Sequence, residues 1–159
     1  MKITNKPNLQ FDAAIKNIGS KVGKVGYFKG AIYDNGIPVA YVATIQEYGV
    51  PEKGIPSRSF MRSTIEEQKK DWSNIAAQGS KAVLNGKIEA SDLMEMIGQK
   101  AAGDIRKKIS TITTPALSPN TIKARMNKRA DKSTVGNLTK PLVDTGLMLQ
   151  SLTHVVENK

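Results

Sequence analysis

EYGVPEKGIPSRSFMRSTI, residues 47–65, gathers Gly49, Gly54, Pro51 and Pro56 immediately before a long run of helical spacing. The prolines restrict the backbone and the glycines permit its reversal, so the stretch predicts a turn that ends one helix and opens another. Upstream, IPVAYVATIQEYG alternates like a strand at Val39, Tyr41, Ala43 and Ile45, yet Val39, Val42, Ala43 and Gln46 also trace a helical face. Pro38 at the first helical position and Gly49 just past the end favour the helix. Downstream, Met61, Ile65, Gln68, Trp72, Ile75, Gly79 and Val83 step by four and three, which predicts one long amphipathic helix. Ser57 or Ser59 is its expected cap, and Asn85 and Gly86 its stop.

Working outward, Leu9, Phe11, Ala14, Ile15 and Ile18 fall at helical spacing between Asn8 and Gly19. KVGYFKGAIY, residues 24–33, reads as one or two strands, closed by turn residues Asp34, Asn35 and Gly36. A second long helix begins near Ser91 with Met94, Ile97, Ala101, Ile105 and Ile109 on one face; Arg106, Lys107 and Lys108 suit the negative end of its dipole. After the loop TITTPAL, Ser118 caps and Pro119 opens a basic helix, and residues 130–139 read as a mobile loop. Asp144 and Thr145 make a turn or cap, and a last strand follows over residues 152–156. The pattern predicts an α+β fold in which a small antiparallel sheet is packed by several helices, one of them long and amphipathic. A single domain over residues 1–159 is expected, with the basic helix and loop at 118–139.

Composition excludes several chemistries. The chain has no cysteine and one histidine, so thiolate metal sites, disulfides and two-histidine sites are not available to it. No apolar run approaches the roughly 20 residues needed to span a bilayer, and the start MKITNKPNLQ lacks the apolar core of a secretory signal, so neither membrane insertion nor that export route is expected. Only 39% of residues are hydrophobic, which suggests a modest core that leans on partner subunits. The net charge is +10 and sits in two blocks, residues 1–30 at +5 and residues 100–132 at +7. A polyanionic neighbour fits such a balance.

His154 lies in the last strand beside Leu152 and Val156 and reads as a structural histidine, with no serine or cysteine motif to serve. The carboxylates Glu66, Glu67, Asp71, Asp92, Glu95 and Asp104 lie in helical patterns and need no catalytic role. Glycines at 19, 23, 26 and 30 lack a Walker lysine-serine pair, and strand bending explains them better than a phosphate cradle. No catalytic residue, cofactor, metal or small-molecule substrate is therefore expected. Lys123, Arg125, Lys128, Arg129 and Lys132 form a basic patch dense enough for phosphate contacts or for a protein partner, without aromatic residues for base stacking.

Three stretches stand together: VATIQEYGVPEKGIPSRSFMRSTI, LSPNTIKAR and KPLVDTGLMLQSLTHVV. In this order and separation the chain resembles, over roughly residues 20–156, the neck and tail-completion proteins of tailed bacteriophages, also called virion morphogenesis or minor tail proteins. In that family an EFG or EYG ends a helix, a proline-arginine segment opens a long one, an LSP helix start follows, and a KPL and TG pattern precedes a C-terminal strand. Ser59 departs from the family's usual proline. The resemblance implies a non-enzymatic virion protein, assembled in the host cytoplasm, that forms a ring at the head-proximal end of the tail, most readily a hexamer. It implies contacts with the tail tube and the head-tail connector, with non-specific DNA contact in the channel a further expectation.

On this reading Glu47, Arg58, Phe60 and Arg62 belong to a subunit or partner interface, the two arginines pairing with a neighbour's carboxylates. The competing expectation is a basic nucleic-acid-binding protein that uses residues 118–132.

Overall fold

A computed structural model describes residues 9–128 and 138–159. In chain order the elements are α1 (Leu9–Gly19), β1 (Lys21–Tyr27), α2 (Val39–Tyr48), a 3-10 turn (Pro51–Lys53), α3 (Met61–Leu84), α4 (Ala90–Thr111), α5 (Pro119–Lys128), α6 (Leu147–Ser151) and β2 (Leu152–Asn158). The strands β1 and β2 pair as a two-stranded antiparallel sheet, so the fold is a small α+β one dominated by helices. No described helix is long and apolar enough to cross a membrane.

Local signals account for most element ends. Gly49 closes α2 at φ 74, a value open to glycine at little cost, and its amide bonds Ile45 O. Gly86 closes α3 at φ 68. There the Gly86 amide reaches Val83 O and the Lys87 amide reaches Ala82 O, the paired bonds of a Schellman stop. Ser118 Oγ accepts the Thr121 amide at 3.2 Å and Pro119 opens α5, as its sequence predicts. Pro38 takes the cap position of α2 rather than the first helical one. The N-terminal strand lies earlier than its spacing suggests: β1 ends at Tyr27, and beyond the positive φ of Gly30 only Ile32 makes a bridge, to Pro38. The loop expected over residues 130–139 falls mostly outside the described residues; Leu138, at its end, is buried.

Contacts divide the chain into two compact units. The first comprises α1, the start of β1, residues 69–101 and the end of β2. Its core is Val83, Ala90 and Leu93, against which Ala14, Ile18, Ile88 and Ile97 pack. Gly79 lets the buried Leu93 side chain pack close to α3, since a methyl group at that position would overlap the leucine's end and make it shift. Lys21 donates to Asn158 Oδ1 at 2.7 Å and Lys24 pairs with Glu157 along the strand pair. His154 Nε2 lies 2.6 Å from Glu95 Oε2, and the imidazole rests on Gly98.

The second unit comprises residues 26–68 and 102–153. Val39, Phe60, Ile109 and Leu152 are fully buried in it, joined by Ala102, Ile105, Leu142 and Met148. The α3 stripe differs here from its sequence pattern: Ile65 is 49% exposed, while Thr64 is buried and donates to Phe60 O at 2.6 Å. Phe60, one residue ahead of the helix, fills the core and sets the phase, so the face four residues on belongs to Thr64. Trp72 is half-buried.

Candidate functional site

The loop of residues 47–65 closes on a single carboxylate. Glu47, 4% exposed at the end of α2, accepts the amides of Phe60 and Met61 on Oε2 at 2.7 and 2.8 Å. Its Oε1 accepts the Arg62 amide at 3.1 Å, the Ser59 hydroxyl at 2.8 Å and Arg62 Nε at 2.9 Å. Glu47 is thus the N-terminal cap of α3, in place of the Ser57 or Ser59 cap that the sequence predicts. A full negative charge on the orphan amides of a first turn also answers the positive end of the helix dipole. Burial by itself would raise the Glu47 pKa, but the amides of Met61 and Arg62, the Ser59 hydroxyl and the Arg62 guanidinium outweigh it and hold the carboxyl below its ordinary value.

The two arginines of the loop go to different places. Arg62 lies at the surface with its side chain 53% exposed; its Nη2 donates to Glu47 O at 3.0 Å, and its guanidinium lies 4.5 Å from the centroid of the Tyr48 ring. Arg58 is buried. Its Nε donates to Pro115 O at 2.7 Å, its Nη2 to Ala116 O at 3.0 Å and its Nη1 to Gln46 Oε1 at 3.1 Å. Burial and, after it, the Arg125 charge lower the Arg58 pKa from the ordinary arginine value. Of the residues expected at an interface, Glu47, Arg58 and Phe60 are therefore engaged inside the chain, and Arg62 alone reaches solvent.

The basic patch is divided in a similar way. Lys123 is exposed on α5, whereas Arg125 turns inward and donates to Leu138 O, Lys140 O and Pro141 O, with Nε 3.6 Å from Asp144 Oδ1. Lys128 ends α5; Arg129 and Lys132 lie outside the described residues. Arg106 follows the same rule as Arg58 and Arg125, donating to Leu149 O and Leu152 O. Of the three cations that the α4 dipole already explains, Arg106 holds the turn around α6, while Lys108 pairs with Glu67.

A groove of about 670 Å³ opens on the second unit, floored by Ile37, Val42, Leu142 and Met148 and rimmed by Asp34 and Asp144. Sequence reading passed over it, because its walls come from the turn at 33–37, from α2 and from the segment at 141–148. Tyr41 and Tyr48, 58% and 60% exposed, share one side of α2, which their spacing of seven makes legible in the sequence. No family model, curated protein or solved structure matches the chain.

Proposed function

We propose that this chain is a structural protein of a tailed-bacteriophage virion, a tail-completion or neck component that forms a ring at the head-proximal end of the tail and joins it to the head. One observation carries the reading: the three stretches that bear the family resemblance are tied to one another by two arginines that donate to backbone carbonyls. Arg58 of the first holds the carbonyls of Pro115 and Ala116, directly before the second. Arg125 of the second holds those of Lys140 and Pro141 in the third. Residues scattered along the sequence thus serve one scaffold, and the resemblance rests on parts that work together.

In this role the protein acts by binding. Charge-assisted bonds from Arg58 and Arg125 hold loops in one shape, and Tyr41, Tyr48, Arg62 and Ile65 face outward, where tyrosine and arginine favour protein contacts. The partners are further copies of the chain in a ring, of which a hexamer is the expected size, together with the tail tube and the connector. The inward turn of Arg125 favours this over the nucleic-acid reading, since it removes the central cation from the basic stretch. Deletion of the gene from the phage that encodes the chain tests the proposal: heads and tails should accumulate unjoined, with joining restored by the protein supplied in trans. Normal joined particles from the deletion would refute it.

A further inference from the structure

A ring needs two different surfaces on each subunit, one to give and one to receive. The second unit carries such a pair, and α2 separates them. At 100° per residue, Tyr41 and Tyr48 lie within about 20° of each other and Val42 and Gln46 within about 40°, while the two pairs stand about 130° apart around the helix. Val42 and Gln46 line the groove; Tyr41 and Tyr48 belong to the exposed edge.

The surfaces also differ in charge. On the edge, Tyr48 stacks on Arg62, and Ile65 lies one helical turn beyond Arg62 on α3. Arg62 is held by Glu47 through Nε and Nη2, so its guanidinium is fixed in direction before any partner arrives. The groove has the opposite character, with an apolar floor of Ile37, Leu142 and Met148 beneath the carboxylates of Asp34 and Asp144. Arg125, the one cation among the described residues of its wall, holds three backbone carbonyls and pairs with Asp144 at 3.6 Å, so Asp34 is the exposed carboxylate of the rim that this cation does not answer. On a protein of net charge +10, the exposed Asp34 carboxylate beside an apolar floor complements the protein's own cationic, aromatic edge.

We infer that the groove of one copy receives the Tyr48 and Arg62 edge of a second copy, head to tail. The inference rests on the ring-forming reading above and names its two contact surfaces. Arg62 meets Asp34, and Tyr48 and Ile65 cover the apolar floor. Each such contact leaves a groove free at one end and an edge free at the other, so addition continues until the ring closes.

Mixed variants of the full chain test this in sedimentation velocity. Tyr48→Asp disables the edge and Asp34→Lys disables the groove; circular dichroism confirms that each is folded, and Ile65→Asp and Ile37→Asp replace either one that is not. Wild-type protein should form species larger than a dimer, and each variant alone should associate at least tenfold more weakly. An equimolar mixture of the two should give dimers and nothing larger, since only one intact edge and one intact groove remain to meet. A monomeric wild type, variants that assemble normally, or a mixture that stays monomeric would each overturn the inference. Dimers in the mixture alongside normal particles from the deletion strain would remove the virion reading and leave this interface standing. Monomers in the mixture alongside unjoined heads and tails would remove this interface alone.

Discussion

Glu47 holds Arg62 twice, through its side chain at 2.9 Å and through its backbone carbonyl at 3.0 Å, so the end of α2 and the first turn of α3 are fastened at one point. The carboxylate and the guanidinium contribute unequally to stability, because one is buried and the other lies in water.

Glu47→Ala leaves the amides of Phe60, Met61 and Arg62 without their acceptor in a largely dry site. The expected loss is about 3 kcal/mol, the scale of charge-assisted bonds removed from one side. Arg62→Ala removes an exposed partner of the same carboxylate, and solvent screening limits its cost to about 1 kcal/mol or less. Urea unfolding of the two variants measures the difference, and equal losses would contradict this account of the cap.

The same carboxylate confers a pH dependence. Its pKa is lower in the folded chain than in the unfolded one, so its contribution is fully present above the ordinary carboxylate pKa of roughly 4.3 and disappears as pH falls through the folded value. Unfolding free energies measured from about pH 6 down to about pH 3 should fall less steeply for Glu47→Gln than for the wild type. Parallel curves would show that other groups set the acid limit.

Arg58→Lys keeps the charge and loses the fork. An ammonium cannot reach Pro115 O, Ala116 O and Gln46 Oε1 with the planar geometry that the guanidinium supplies. A loss of about 2 kcal/mol is expected, with faster amide hydrogen exchange over residues 112–118 as the local sign. Unchanged exchange there would show that the segment is held by other means.

Two glycines of α4 should respond in opposite directions to alanine. A Cβ at Gly98 would lie 2.7 Å from His154 Cδ2 and 3.0 Å from Cγ, which pushes the imidazole off the helix and away from Glu95. Overpacking of this kind costs about 1 to 3 kcal/mol and exceeds the gain in helix propensity. Gly103 has open space at its Cβ, and Gly103→Ala should stabilise the chain by up to about 1 kcal/mol. Thermal melts of the two single variants provide the comparison.

The sequence by itself determines three of the helix ends. Gly49, Gly86 and the Ser118 and Pro119 pair act on the backbone within five residues of themselves, through φ, a missing amide or a short cap bond, and the structure has all three element ends where these residues put them. It also determines the α+β class, since the periods of α3, α4 and the last strand are local properties of the chain.

Tertiary structure decided the destinations of the charges. Arg58 bonds a carbonyl 57 residues away, Arg106 one 43 residues away, and Glu47 caps amides 13 to 15 residues ahead. Nothing in the spacing of these residues names those partners, because a backbone carbonyl or amide is present at nearly every position and carries no sequence signature. Tertiary packing likewise decided that Thr64 rather than Ile65 faces inward, once Phe60 had been placed in the core. Periodicity defines a helical face only to within about one residue's rotation, and the shape of the space that the face must fill selects among the neighbours.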